Sequence, residues 1–141
     1  MNKRKVDYYF RLAQTAAEDS YAKRDQVGCV LVKNNRVIVT GYNGTVSGED
    51  NLCECPVTGI TYEHVIHAEL NALLALAGSH ESARNATAFI TRAPCINCAG
   101  ALITAGVSEV HYINKGSGTG IDLLSRRVLL AKYPMHINIK I

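Results

Sequence analysis

ATAFITRAPCINCAGALITAGVSEVHYI, residues 86–113, reads as a strand, a helix and a second strand in succession. Ala86–Thr91 is rich enough in β-branched and aromatic residues for a strand. Pro94 opens a helix that runs to Ala105, with Gly106 placed as its C-terminal cap. Glu109–Ile113 is the following strand. Strand, helix and strand at these lengths form a crossover unit, which implies parallel strands covered by helices.

Upstream, His67–Ala77 (HAELNALLALA) is a mostly buried helix ended by Gly78. Before it, VGCVLVK (27–33) and RVIVT (36–40) flank Asn34-Asn35, the pattern of a hairpin. Apolar groups at Val6, Tyr9, Phe10, Ala13, Ala16 and Ala17 give a helical period across Val6–Tyr21. The stretch from Gly41 to about His64 loses all periodicity, and a loop that long in a compact domain is usually functional. Downstream, Asn114–Gly120 is a glycine-rich loop, Ile121–Lys132 a helix and His136–Ile141 an alternating terminal strand. The order α-β-β-α-β-α-β-α-β predicts an α/β chain. It is a single three-layer α/β/α domain spanning 1–141, with a five-stranded mixed sheet, mostly parallel, the hairpin supplying an antiparallel edge.

A chain of 141 residues, 48% apolar and 19% charged, builds a full core and is neither disordered nor fibrous. No apolar run approaches the ~20 residues of a membrane span. The start, MNKRKVDYYF, is charged and then amphipathic, unlike a signal peptide. A net charge of +3 is too small for a dedicated nucleic-acid surface and suits a small anionic ligand. Five cysteines without secretory context point to metal binding or catalysis rather than a disulfide scaffold, and to a cytoplasmic setting (host cytoplasm for a viral chain).

Two short segments carry chemistry: His67-Ala68-Glu69 and Pro94-Cys95-Ile96-Asn97-Cys98. Alone, each has an ordinary reading, a capping histidine in one case and a redox pair or half a zinc ribbon in the other. A ribbon needs a second CxxC, and Cys53-Glu54-Cys55 has the wrong spacing. Together, His67, Cys95 and Cys98 supply three ligands for Zn²⁺ and leave a fourth tetrahedral position open, the mark of a catalytic site. Both segments sit at helix starts, where unpaired N–H groups favour thiolates. Two thiolates cancel the metal's charge, so acidification of a water leans on Glu69, placed beside the ligand rather than as one. H-x-E followed by P-C-x-x-C is the signature of zinc deaminases.

HAELNALLALAG (67–78), TRAPCINCAGALITAGVSEV (91–110) and GYNGTVSG (41–48) together resemble the deoxycytidylate (dCMP) deaminase family of the cytidine deaminase superfamily. The more specific part is VGCVLVKNNRVIVTGYNG, where a VGAVIV-type strand, a turn and a GYNG loop precede the HAE helix. The resemblance runs from about Val6 to Val110. Cys29 replaces the usual Ala, and TRAPC stands where TLSPC-like sequences are common, which leaves the role of Arg92 open.

The resemblance implies hydrolysis of dCMP to dUMP and ammonia, feeding thymidylate synthesis, with one catalytic Zn²⁺ per chain. Glu69 acts first as base toward the attacking water, then as acid toward N3 and the leaving amine. It places Asn43 on the deoxyribose 3′-hydroxyl and extends the substrate site to Ala68. For the phosphate, Lys23, Arg24, Arg92 and Lys115 are candidate donors, with Arg24 first because it leads into the strand before the GYNG loop. Tyr112 and His111 follow the cysteine helix and approach the ligand or pack in the core.

The resemblance further implies a homohexamer activated by dCTP with Mg²⁺ and inhibited by dTTP, with Gly41, Tyr42, Gly44 and Lys115 as effector contacts. Cys53, Cys55 and His64 read as free thiols and a loop histidine, although some family members hold a second, structural zinc in this insert. Two alternatives remain at this point. One is another superfamily deaminase acting on tRNA adenosine or guanine. The other is a non-catalytic zinc-stabilised binding module, whose metal a fourth protein ligand would close.

Overall fold

The computed structural model describes residues 1–113 and, as backbone, 137–139. Helix α1 (Lys3–Glu18) is capped by Asn2, whose side chain accepts from the Lys5 amide at 3.0 Å. Strands β1 (Gly28–Lys33) and β2 (Arg36–Tyr42) form the expected hairpin. Its turn residues Asn34 and Asn35 both adopt positive φ, +53° and +61°, as the mirror-image two-residue turn requires. Then follow α2 (Ala68–Ala77), β3 (Thr87–Ile90), α3 (Ile96–Thr104), β4 (Glu109–Ile113) and β5 (Ile137–Ile139). The loop at 114–120 and the helix at 121–132 lie outside the described residues.

The five strands form one mixed sheet in the order β2-β1-β3-β4-β5. The expectation of a mostly parallel sheet needs correction. β1 is antiparallel to β3 as well as to β2, and only the β3–β4 and β4–β5 pairs are parallel. The crossover β2–α2–β3 does join two strands of the same direction, but β1 lies between them, so each finds an antiparallel neighbour.

Alternation along the strands divides the core into two faces. Val30, Val32, Phe89 and Ile113 pack under Val6, Tyr9, Phe10 and Ala13 of α1. Phe89 is the hub of that layer, with Tyr9 and Phe10 at ring-centroid distances of 5.1 and 5.4 Å, the latter edge-to-face. On the opposite face Cys29, Leu31, Ala88 and Ile90 pack against Ala68, Ala72 and Leu76 of α2 and Ala99 and Leu102 of α3. Small residues let α2 approach closely, and Gly41 lies against its backbone. Gly41 has no positive φ; close packing, rather than an unusual backbone angle, requires a glycine there. Gly106 does end α3 with φ +91°.

The long segment after β2 is tethered rather than loose. Gly44 and Ile66 exchange backbone hydrogen bonds of 3.0 and 2.8 Å, closing the excursion just before His67. Within it, Glu54 bridges Thr61, and Cys53 and Val65 bury against Ala22.

Candidate metal centre and substrate cleft

His67 occupies the N-cap position of α2 with an extended backbone, yet its side chain makes no capping bond. Its Nδ1 lies 3.6 Å from the Cys95 Sγ and 3.5 Å from the Cys98 Sγ. Cys95 is the N-cap of α3, and its sulfur accepts from the Cys98 amide at 3.5 Å. The helix therefore begins after Cys95, and Pro94 precedes the cap instead of opening the first turn. Capping and CxxC spacing bring the two sulfurs together.

Zinc–sulfur bonds of about 2.3 Å and a zinc–nitrogen bond of about 2.0–2.1 Å at tetrahedral angles separate N from S by about 3.6 Å. The two His–Cys separations fit that edge, and the three ligand atoms lie within 4.8 Å of one another. Among the described residues no other group of three His, Cys, Asp or Glu side chains comes together in this way. Cys53, Cys55 and His64 do not gather. Cys53 is buried beside Ala22 and Val65, His64 stacks on Tyr62 at 5.2 Å, and hydrogen bonding from Thr58 draws the Cys55 thiol down to about 7.

The three donors differ in their electrostatics. Cys95 is held down at about 3, chiefly by a hydrogen bond from Cys98 and next by His67. The Cys98 thiol is raised because it gives that hydrogen bond and is buried. His67 is raised, mainly by its bond to Cys95, with the Arg92 charge opposing. Glu69, in the first turn of α2, is only 4% exposed, and burial raises its carboxyl above the usual range. A carboxylate so placed is suited to taking and returning a proton.

A cleft of about 260 Å³ brings together His67, Ala68, Glu69, Cys95, Arg24 and Asn43. Asn43 is more committed than expected. Its Oδ1 accepts from the Val27 amide at 2.9 Å, and its Nδ2 donates to the Asp25 carbonyl at 2.8 Å. It braces the segment before β1 against the end of β2 while still lining the cleft. Three features escape a reading of the sequence: Asp25 and Thr61 in the cleft wall, and Glu54, whose carboxylate accepts from the Lys23 and Arg24 amides at 3.0–3.3 Å. Each depends on contacts across many residues and leaves no local signal.

Gly41, Tyr42 and Gly44 border a second cleft of about 370 Å³, together with Tyr21, Ser47 and Asn71. Tyr112 is elsewhere: at 2% exposure it packs in the α2–α3 face of the core and is absent from the cleft wall. His111 points to the other face, stacked on Phe89 at 4.8 Å. Lys115 lies outside the described residues.

Three candidate metal ligands beside a buried carboxylate are the donor set found in metal-dependent hydrolases. Residues 3–114 match the family described as the cytidine and deoxycytidylate deaminase zinc-binding region, and the chain belongs to it. Deoxycytidylate deaminase of Mycobacterium phage D29 is 34% identical over 119 residues, covering 75% of this chain and 91% of the relative. That of Schizosaccharomyces pombe is 37% identical over 139 residues, 89% of this chain, and this chain spans 43% of its length. The dCMP deaminase of cyanophage S-TIM5, solved in complex with dCMP and dUMP, superposes with a TM-score of 0.84 at 34% identity, covering 100% of this chain and 99% of that one.

Proposed function

We propose that this chain hydrolyses dCMP to dUMP and ammonia. One observation carries the reading. The His67–Cys95–Cys98 group, with ligand atoms at zinc-edge distances, opens with buried Glu69 into a cleft that Arg24 and Arg92 also border. Its support from relatives is the name of the phage and yeast proteins and the nucleotides bound in the cyanophage enzyme.

His67, Cys95 and Cys98 would hold the zinc, which when bound would supply a Lewis acid that makes a water easier to deprotonate. Glu69 takes the proton as the water oxygen adds to C4 of the cytosine ring. The same carboxyl gives that proton to N3, then takes the remaining proton of the C4 hydroxyl as the C4 carbonyl forms and passes it to the departing amine as the C4–N4 bond breaks. Burial keeps the carboxyl basic enough to carry the proton both ways. Arg24 offers the phosphate a guanidinium, and Ala68 forms the floor beside the base. Asn43 faces the sugar 3′-hydroxyl with the amide hydrogen and lone pair that its backbone bonds leave over.

The reading extends to a regulated homohexamer in the cytoplasm, feeding thymidylate synthesis. In it dCTP with Mg²⁺ activates and dTTP inhibits at Gly41, Tyr42 and Gly44. Location supports this part. Asn71, two residues beyond Glu69 on α2, borders the second cleft and donates to the Tyr42 carbonyl at 2.7 Å. Effector binding there is thus one side chain away from the catalytic helix.

The test is deamination of dCMP and deoxycytidine by zinc-loaded protein, followed by cytosine absorbance, with and without dCTP and Mg²⁺. Turnover of dCMP in preference to deoxycytidine is expected, with stimulation by dCTP. Inertness toward both overturns the substrate, and turnover unaffected by dCTP removes the regulation.

A further inference from the structure

The antiparallel register of β1 and β3 pairs Cys29 with Ile90. One step further out, the Thr91 amide donates to the Gly28 carbonyl and the Gly28 amide to the Thr91 hydroxyl, both at 3.0 Å. The two chain segments therefore leave the sheet side by side, one through Asp25 and the other through Arg92. Their side chains meet across the cleft, Arg92 Nη1 to Asp25 Oδ2 at 2.6 Å. Both side chains line the cleft and are partly exposed, at 39% and 25%. An ion pair this exposed contributes little to stability. Its position in the wall of a ligand cleft, three residues before Cys95, calls for a different role.

We propose that Arg92 reads the 5′-phosphate of the substrate and that Asp25 is its positioning residue. The proposal rests on the nucleotide reading above and goes beyond it, because Arg24 alone carries the phosphate there. A guanidinium has five N–H donors in a fixed fork. Asp25 engages Nη1 and leaves further donors for two parallel bonds to phosphate oxygens. Asp25 is itself anchored, its carbonyl accepting from Asn43 at 2.8 Å. The phosphate reader and a metal ligand then share the short β3–α3 connection, which fixes their separation. Arg24 lines the same cleft, so a second guanidinium is available to a dianion beside Arg92.

Arg92→Ala lowers kcat/KM for dCMP roughly 10- to 100-fold and leaves deoxycytidine turnover unchanged, with partial recovery in Arg92→Lys. Asp25→Asn raises KM for dCMP several-fold at constant kcat, Asp25→Glu restores it, and Asp25→Asn adds nothing to Arg92→Ala. Equal losses on nucleotide and nucleoside overturn the proposal, as does unchanged selectivity. Arg92→Gln carries the same comparison if the alanine variant loses its fold or its zinc.

Calorimetric binding of dUMP against deoxyuridine, and of GMP against guanosine, needs no turnover and separates the two levels. Protein inert toward dCMP that still binds a monophosphate through Arg92 overturns the dCMP reading and upholds the phosphate reader. Active protein whose preference for monophosphates survives Arg92→Ala upholds the dCMP reading and overturns the phosphate reader. Wild-type protein that binds nucleosides as well as monophosphates overturns the phosphate reader too.

Discussion

Gly41 of β2 lies against Ala68 of α2 so closely that a Cβ on residue 41 would stand 2.6 Å from the Ala68 carbonyl oxygen. The same atom would be 2.8 Å from the Ala72 amide nitrogen. Both neighbours are backbone and cannot swing away, so the helix that starts with His67 and Glu69 is seated by the absence of a methyl group. Gly41→Ala therefore shifts α2 outward. It is expected to cost about 1–3 kcal/mol in urea unfolding and to weaken zinc retention under chelator challenge. Wild-type zinc retention in that variant would separate the seating of α2 from the metal site.

Glu69→Gln keeps the shape of the buried side chain and removes its basicity. Zinc content by elemental analysis is expected to stay at one per chain, while kcat falls by roughly 10²- to 10⁴-fold. Substantial turnover in this variant would remove Glu69 from proton transfer.

His67→Ala and Cys98→Ala each leave two of three ligands. Both variants are expected to lose zinc on dialysis and to melt at lower temperature than the loaded wild type, because metal binding is coupled to folding. Chelation of the wild type is expected to lower its melting temperature toward theirs.

Asn43→Ala removes the bonds to Val27 and Asp25. At about 1 kcal/mol for each net hydrogen bond, and more if a buried partner is left unmade, the loss is about 2 kcal/mol in chemical denaturation. KM for dCMP is expected to rise as well, since Asp25 loses its anchor. Asn43→Asp keeps the acceptor for Val27 but sets a carboxylate oxygen against the Asp25 carbonyl, and is expected to be at least as destabilising as Asn43→Ala.

Hydrogen bonding from Thr58 holds the Cys55 thiol at about 7, whereas burial raises Cys53. A lowered thiol gains its reactive thiolate as pH rises through its own value. In zinc-loaded protein, site-resolved alkylation with iodoacetamide is expected to modify Cys55 first, with a midpoint near pH 7, and Cys53 only at higher pH. Thr58→Val is expected to move the Cys55 midpoint upward.

Much of this was legible in the sequence because it is local. The His-x-Glu and Cys-x-x-Cys spacings, the two helix starts, the Asn-Asn turn and the glycine after α3 each involve residues within one turn of one another. Backbone geometry then dictates what they present. The β1–β3 pairing was not legible, because strand direction in a sheet depends on which neighbour a strand finds. The crossover from β2 to β3 gives no sign that β1 lies between them.

The amino-acid sequence by itself determined the α/β class, the three candidate metal ligands, the position of Glu69 and the family resemblance. These follow from periodicity and short spacings. Only the tertiary structure decided that Asp25 meets Arg92 across 67 residues of chain and that Glu54 holds the Lys23 and Arg24 amides. The same holds for Asn43, whose carboxamide braces β1, and for Tyr112, which belongs to the core. Such contacts depend on sheet register and on close packing between distant segments, and those are settled when the whole core closes.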